Sequence, residues 1–198
     1  MGLDFDYEDG QTPLEEEEKD DLLISTITTR SELNEFEQLN IEDAVQFYMR
    51  RKYNAETLLT EKFIKSVHAK MYGNVWKWAG SFRNSNKNLG VDKFQIGIEL
   101  RKLMDDCQYW IKNKSFSTDE IATRFKHRIV SIHCFVNGNG RHSRFIADLI
   151  MENIFKEQPF TWGAKKMIDN EIVRKAYLLA LKAADKGDYT QLITFAKE

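Results

Sequence analysis

The sequence predicts an all-α fold with one small β-hairpin, and three observations support that prediction. Apolar residues recur with helical spacing from residue 22 onward. Only two prolines occur, Pro13 and Pro159, and helix-forming residues dominate between them. One stretch, GSFRNSNKNLGVDKFQIG (80–97), differs from the rest, with glycines near both ends and a centre of Asn, Ser and Lys, which is typical of a hairpin or a loop; we expect the hairpin.

The elements follow in chain order. Residues 1–20 are acidic and turn-rich, which predicts an extended arm, and one domain is expected over 21–198. Helical spacing is found at 31–53, 59–73, 98–113, 117–133, 141–155 and 169–198. Asn40 is expected to break the first of these helices. Ser117 and Glu120 form a capping-box pattern at the start of the fourth.

Composition and charge exclude several classes of function. Of the 198 residues, 42% are hydrophobic and 12% aromatic, so the chain can form a real core. A net charge of -2 gives no general attraction to nucleic acid or to an anionic membrane, and no apolar run is long enough to span one. Cys107 and Cys134 form neither a disulfide framework nor a zinc-site spacing. We therefore expect a cytoplasmic protein with no direct nucleic-acid or membrane contact.

The stretch IHCFVNGNGRHSRF (132–145) is more polar than its neighbours, and it predicts a phosphate site. Gly138-Asn139-Gly140 leads directly into a helix, whose first N–H groups and dipole attract anions. Arg141 and Arg144 lie on one helical face beyond it, suited to more than one phosphate. His133 accepts a proton near neutral pH, so transfer of a phosphoryl or nucleotidyl group is indicated.

Each of these features taken singly has a purely structural interpretation. A histidine on an apolar helix face is most often a core residue, and GNG alone marks a turn. The combination within twelve residues is harder to explain by structure alone. The P-loop pattern GxxxxGK(S/T) is absent from the sequence, so another class of nucleotide site is required.

The segment HCFVNGNGRHSR (133–144) resembles the signature of the Fic (Fic/DOC) family, HxFx(D/E)GNGRxxR, at every fixed position but one. WKWAGSFR (76–83), NKNLGVDKFQI (86–96) and the C-terminal stretch YLLALKAADKGDYTQLITF (177–195) also resemble that family, so the likeness runs from about Thr28 to the end. Within the family, TTRSELNEFEQLNI and NGNGRHSR are most similar to the small bacterial group called mobile mystery protein B. The resemblance implies a Fic-type helical bundle.

The resemblance also implies a reaction, the transfer of AMP from ATP to a Tyr, Thr or Ser hydroxyl of a target protein. It makes His133 the general base, Gly138, Asn139 and Gly140 the phosphate cradle, and Arg141 and Arg144 the ligands of the β- and γ-phosphates. Phe135 would anchor the loop in the core. A β-hairpin flap would dock the target by strand addition. Its residues would be Lys87, Gly90, Val91, Asp92, Lys93 and Phe94.

One motif position departs from the family. Asn137 stands where an Asp or Glu normally binds Mg²⁺, so the metal, Mg²⁺ or Mn²⁺, is expected to bind weakly. Cys134 replaces a common proline, and no activating arrangement around it favours a nucleophilic role.

The family's inhibitory pattern, (S/T)xxxE(G/N), has a partial match in a possible inhibitory helix at about 25–38. Thr28-x-x-x-Glu32 fits it, with Glu35 as the alternative, and Glu32 is predicted to pair with Arg144. The competing interpretation is a helix start, because Thr29 and Glu32 also spell a capping box.

Other functions stay open at this point. The same scaffold could transfer a γ-phosphate, use another nucleotide or remove AMP, or the chain could be a non-catalytic nucleotide sensor or antitoxin-binding module. Self-modification, an oligomer and a helix-turn-helix partner protein are further expectations from the resemblance. The target protein is not encoded in any motif.

Overall fold

The computed structural model describes residues 16–163 and 170–198, and its regular structure is helical throughout. The helices are α1 (Glu16–Lys19), α2 (Arg30–Met49), α3 (Ala55–Leu58), α4 (Glu61–Tyr72), α5 (Ile96–Asn113), α6 (Thr118–Ile132), α7 (Asn139–Ile150), α8 (Asn170–Ala184) and α9 (Thr190–Lys197). A 3-10 turn (Lys93–Gln95) precedes α5, and a π-helical turn (Met151–Phe155) follows α7. The all-α class is confirmed, whereas most of the predicted acidic arm lies outside the described residues.

Helix α6 lies at the centre of the fold, where α5, α7 and α9 pack against it. Its side chains Phe125 and Ile129 are buried, as is Phe135 just beyond its end, which confirms the predicted anchoring role of that phenylalanine. Ser117 caps α6 through the Glu120 N–H, as predicted. The Glu120 carboxylate pairs with Arg124 instead of completing a capping box. The centre of the core thus fixes the two helices, α6 and α7, that flank the polar stretch.

Helix α2 runs without interruption through Asn40, so the predicted break is wrong. The Asn40 side chain is buried and bonds to α4 and the turn after it: its Nδ2 donates to the Lys70 carbonyl (2.9 Å), and its Oδ1 accepts from the Asn74 N–H (2.9 Å). These tertiary bonds remove the competition between an asparagine side chain and its own helix backbone. They also fix α2 on α4 beside the polar stretch.

The predicted β-hairpin is not formed within residues 80–97, which contain turns, bends and the single 3-10 turn. Residues 84–92, called here the cover loop, bond outward rather than across a two-stranded ladder. The Val91 N–H donates to the carbonyl of Ile132 at the end of α6 (3.3 Å), and Arg83 binds two cover-loop carbonyls.

An isolated antiparallel bridge joins Leu22 to Trp76. None of the helices in the described ranges is long and apolar enough to cross a membrane.

Candidate functional site

His133 ends helix α6 in a left-handed conformation (φ 56°), which turns the chain sharply toward α7. Non-glycine residues are uncommon in that region, and such conformations cluster at functional sites. The side chain is 6% exposed, and burial, followed by the charges of Arg83 and Lys87, lowers the pKa of His133 to about 4. The imidazole is therefore neutral at pH 7, the state in which it can accept a proton.

The loop between His133 and α7 is held by its own side chains. The Asn139 Oδ1 accepts from the Phe135 N–H (3.0 Å), and its Nδ2 donates to the Phe135 carbonyl (2.8 Å). The side chain of Asn139 thus closes the loop, and what it offers to a phosphate is its backbone N–H. Gly138 has a φ of 76° and is the N-cap of α7, and no side chain of the described residues caps that helix. The first N–H groups of α7 therefore remain available to an anion.

Two buried residues of α4, His68 and Tyr72, support this loop, and no motif in the sequence indicated that role. The Nδ1 of His68 accepts from the Gly80 N–H (3.0 Å), so its Nε2–H donates to the Asn137 carbonyl (3.0 Å). His68 also stacks on Phe135 at 3.7 Å, and burial lowers its pKa well below the usual value, which keeps it neutral. The Tyr72 ring fills the space beside Gly138. His68 has the helical spacing of a core position, and this spacing could have indicated that its side chain is buried.

Asn137, the predicted metal position, uses its side-chain oxygen within the loop. Its Oδ1 accepts from the Gly138 N–H (2.6 Å), and an amide oxygen brings no charge to a metal. In the described part of the chain, no cluster of three or more His, Cys, Asp or Glu is arranged to hold a metal ion. These donors fit only a metal that takes most of its oxygen ligands from a bound triphosphate. Burial raises the pKa of the neighbouring Cys134 thiol to about 12, so it stays protonated and is a poor nucleophile.

The two motif arginines differ in their partners. Arg141 donates to the Oε2 of Glu37 on α2 (2.6 Å), while the Trp76 Nε1–H donates to the Oε1 of the same carboxylate (2.8 Å). Glu37 is buried, and its charge contributes to the raised pKa of Arg141. Arg144 lies 5.8 Å from the Tyr177 ring and forms no ion pair with any described residue. The resting protein therefore restrains Arg141 and leaves Arg144 available for an anion.

The predicted pair of Glu32 and Arg144 does not form. The Glu32 carboxylate accepts from the N–H groups of Thr28 (2.8 Å) and Thr29 (2.9 Å), which completes the capping box of α2. Those backbone bonds lower the pKa of Glu32, and Glu35 points to solvent. Glu37 was missed by the partial motif. The helical spacing of Glu37 could have indicated its burial, because Leu33, Glu37 and three further buried residues share one face of α2.

Arg141 and Arg144 line one cavity of about 240 Å³ between α2 and α7. Its other walls are mostly apolar: Val45, Met49, Phe145, Asp148 and Pro159. Burial raises the pKa of Asp148 to about 7, opposed by hydrogen bonds from Trp162 and Phe160 and by the charge of Arg144. A partly protonated Asp148 leaves the cavity with net positive charge, which suits phosphate groups.

The cover loop lies directly over His133. A Cβ added to Gly90, whose φ is 101°, would come 2.6 Å from the Cβ of His133. The Lys87 ammonium forms a 2.6 Å ion pair with Glu18 of α1, and both side chains are almost fully buried. The Asp92 carboxylate accepts from Asn86 within the loop and from the Phe94 N–H just after it, and Phe94 itself is 79% exposed. Of the predicted flap residues, Gly90 therefore lies against His133, Lys87 ties the loop to α1, and Phe94 points to solvent.

Comparison with known proteins agrees with this geometry. Residues 58–151 match the sequence profile of the Fic/DOC family. The protein adenylyltransferase Fic of Aedes aegypti is 25% identical over 163 residues, which is 80% of this chain and 31% of that protein. The corresponding protein of Drosophila melanogaster is 27% identical over 141 residues, 69% of this chain and 27% of that one. The chain therefore spans about 30% of the length of these curated relatives.

The fold is also that of solved Fic domains. The BepC effector of Bartonella tribocorum, crystallised with bound AMPPNP, superposes with a TM-score of 0.68 at 16% identity, covering 91% of this chain and 95% of that one. The N-terminal Fic domain of a putative cell filamentation protein from Bartonella quintana, with bound ADP, gives 0.67 at 15% identity, covering 87% and 86%. The motif loop, the helices that hold it and the profile match together identify residues 58–151 of this chain as a Fic/DOC domain.

Proposed function

We propose that the protein is a protein adenylyltransferase, which transfers AMP from ATP to a hydroxyl of a target protein. The observation that supports this most is a neutral, buried His133 at one end of a short loop whose other end is the uncapped start of α7. Relatives named protein adenylyltransferase, and neighbours crystallised with AMPPNP and ADP, support the same reaction class.

In the proposed reaction, the target hydroxyl gives its proton to an imidazole nitrogen of His133 as its oxygen attacks the α-phosphorus. The new bond joins that oxygen to the α-phosphorus, the bond from the α-phosphorus to the bridging oxygen breaks, and pyrophosphate leaves. The N–H groups of Gly140 and Arg141 at the start of α7 stabilise the charge that develops on the phosphate oxygens. Arg144 binds the departing phosphates.

A divalent cation, Mg²⁺ or Mn²⁺, would offset charge on the triphosphate and on the leaving pyrophosphate. Asn137 is the residue that would hold it, through its side-chain oxygen, which also accepts from the Gly138 N–H. Because that ligand carries no charge, the cation would depend on the nucleotide for most of its affinity.

The resting protein is self-inhibited in this proposal, through Glu37 rather than Glu32. The Glu37 carboxylate already occupies the guanidinium of Arg141, so a phosphate must displace a buried, charge-assisted hydrogen bond before it can bind there. Glu37→Gln removes the charge and keeps an amide oxygen for the Trp76 Nε1–H. Relief of this competition should tighten ATP binding about tenfold, equivalent to about 1.4 kcal/mol.

The test uses ATP labelled at the α- or the γ-phosphate, with Mg²⁺ or Mn²⁺ and the protein itself as acceptor. The variants are wild type, Glu37→Gln, Glu37→Gln with His133→Ala, and Glu32→Gln as the matched control. We expect α-label incorporation to rise with Glu37→Gln, to vanish with His133→Ala and to stay at the wild-type level with Glu32→Gln. Activation by Glu32→Gln but not by Glu37→Gln would refute the role of Glu37.

A second candidate is a nucleotide sensor without transferase activity. The neutral Asn137 and the cover loop over His133 favour it, because both features weaken catalysis without blocking the arginine-lined cavity. ATP binding with no incorporation from either label in any variant would establish the sensor, and incorporation only from γ-labelled ATP would indicate phosphorylation instead.

A further inference from the structure

Arg83 is a buried cation with no carboxylate partner among the described residues. Its side chain donates from Nε to the His133 carbonyl (2.7 Å), from Nη1 to the Ser85 carbonyl (2.7 Å) and from Nη2 to the Val91 carbonyl. The residue is 3% exposed, and burial lowers its pKa. Buried charges are normally paired or coordinated, so a guanidinium held only by carbonyls needs a physical reason.

The position of Arg83 at the end of α6 supplies that reason. The last carbonyls of a helix lack partners within it and carry its negative dipole end, which favours a cation there. The His133 carbonyl, which receives the Arg83 Nε–H, belongs to that group, and the Arg83 N–H donates to the next carbonyl, that of Cys134 (3.0 Å). Arg83 therefore caps the C-terminus of α6 at the residue that carries the base.

The same guanidinium holds the cover loop from both ends. Ser85 lies at the start of that loop and Val91 near its end. The backbone carbonyls of both residues accept hydrogen bonds from the Arg83 guanidinium. Between them, Gly90 lies so close that an added Cβ would come 2.9 Å from the Arg83 Nη2 and 2.6 Å from the His133 Cβ. One planar fork thus joins the backbone of His133 to the loop that covers its side chain.

We propose that Arg83 is a positioning residue for His133, an inference that rests on the proposed transferase function. Its fork sets the left-handed turn at His133 and the closure of the cover loop together, so that access to the base and its orientation depend on one side chain. Arg83 touches no phosphate site in this arrangement. It acts through His133 and is expected to change kcat while leaving the KM for ATP nearly unchanged.

The electrostatics agree with the geometry. Burial is the largest cause of the low pKa of His133, and the charges of Arg83 and Lys87 follow. Lys87 faces His133 from the cover loop but forms an ion pair with Glu18, whereas Arg83 forms no ion pair within the part of the chain that the structure describes and has only the weaker, more distant charge of Asp92 to offset its own. Loss of the Arg83 charge, together with the water that an open loop admits, should raise the pKa of His133 toward its ordinary value of 6.5.

The test compares Arg83→Gln, Arg83→Lys and Gly90→Ala in the full chain, without nucleotide or target. Lysine keeps the charge but cannot span three carbonyls, and glutamine loses the charge. Alanine at position 90 pushes the loop away and leaves Arg83 intact. Arg128→Gln is the control, because this arginine lies on α6 itself, pairs with Asp106 and does not act on His133.

Two readouts are independent of catalysis. Amide hydrogen exchange over 84–92 should accelerate about tenfold or more in all three variants, because a loss of about 1.4 kcal/mol of closure gives that factor. Histidine NMR, with His133→Ala to identify the resonance, should show the pKa of His133 raised most by Arg83→Gln and less by Arg83→Lys. The control should match wild type in both measurements.

Exchange over 84–92 within about twofold of wild type in Arg83→Lys and Gly90→Ala, with an unchanged titration of His133, would overturn the inference. If thermal denaturation shows that Arg83→Gln does not fold, those two milder variants still decide. Failure of the proposed function has a different signature: no α-label is incorporated by any variant, while loop exchange and the His133 titration still respond to Arg83.

Discussion

Gly138 and Gly140 are two residues apart in the proposed phosphate cradle, and the structure predicts opposite effects when each becomes alanine. Gly138 adopts a φ of 76°, and a Cβ there would meet the buried Tyr72 ring at 2.5 Å. The left-handed conformation costs alanine about 1 kcal/mol relative to glycine. Overpacking against a ring that cannot retreat adds roughly 1–3 kcal/mol. Gly138→Ala should therefore lower the free energy of unfolding by about 2–4 kcal/mol.

Gly140→Ala is the matched comparison. A Cβ at Gly140 meets nothing within 4 Å, and the residue lies in the first turn of α7. Alanine in a helix should stabilise by up to about 1 kcal/mol. The same open space is where a phosphate would approach, so Gly140→Ala should bind ATP more weakly while its stability is kept or raised.

Urea unfolding followed by tryptophan fluorescence measures the first effect, and calorimetric titration with ATP measures the second. A Gly138→Ala protein as stable as Gly140→Ala would refute the packing argument. Unchanged ATP affinity in Gly140→Ala would refute the placement of phosphate at the start of α7.

Two further predictions concern charge. Glu18→Gln leaves the nearly buried Lys87 without that carboxylate, so the free energy of unfolding should fall by roughly 2–3 kcal/mol, and an unchanged urea midpoint would contradict this. Burial lowers the pKa of His133 and His142 from 6.5 to about 4. Between pH 6.5 and pH 4 the unfolded chain therefore binds more protons than the folded chain. The free energy of unfolding should fall as the pH falls through this range, by roughly 3 kcal/mol for each histidine. Asp148, with a pKa raised to about 7, acts in the opposite sense, so Asp148→Asn should steepen the acid loss in urea titrations from pH 7 to pH 4; a flatter profile would refute the assignment.

The sequence predicted what depends on local pattern and missed what depends on tertiary contact. Helical spacing was enough to predict the all-α class. The polar turn was enough to predict that His133 ends one helix and that Gly138-Asn139-Gly140 leads into the next. The prediction of a β-hairpin was wrong because the cover loop forms hydrogen bonds to the end of α6, more than forty residues away in the chain. Glu32 was singled out by a short motif that its own capping box explains equally well. Glu37 and Arg83 have no motif, and only packing reveals their partners.

The two restraints on the site come from different segments and act on different substrates. Glu37 on α2 holds Arg141, which in the proposed enzyme binds the nucleotide phosphates, whereas Arg83 and the cover loop shield His133, which would accept the proton of the target hydroxyl. They share no hydrogen-bond partner, so their free energies should be nearly additive. Nucleotide binding alone can then displace Glu37 without opening the cover loop. In the proposed enzyme, the loop accordingly yields to the target protein, and release of Arg141 and exposure of His133 are separate events.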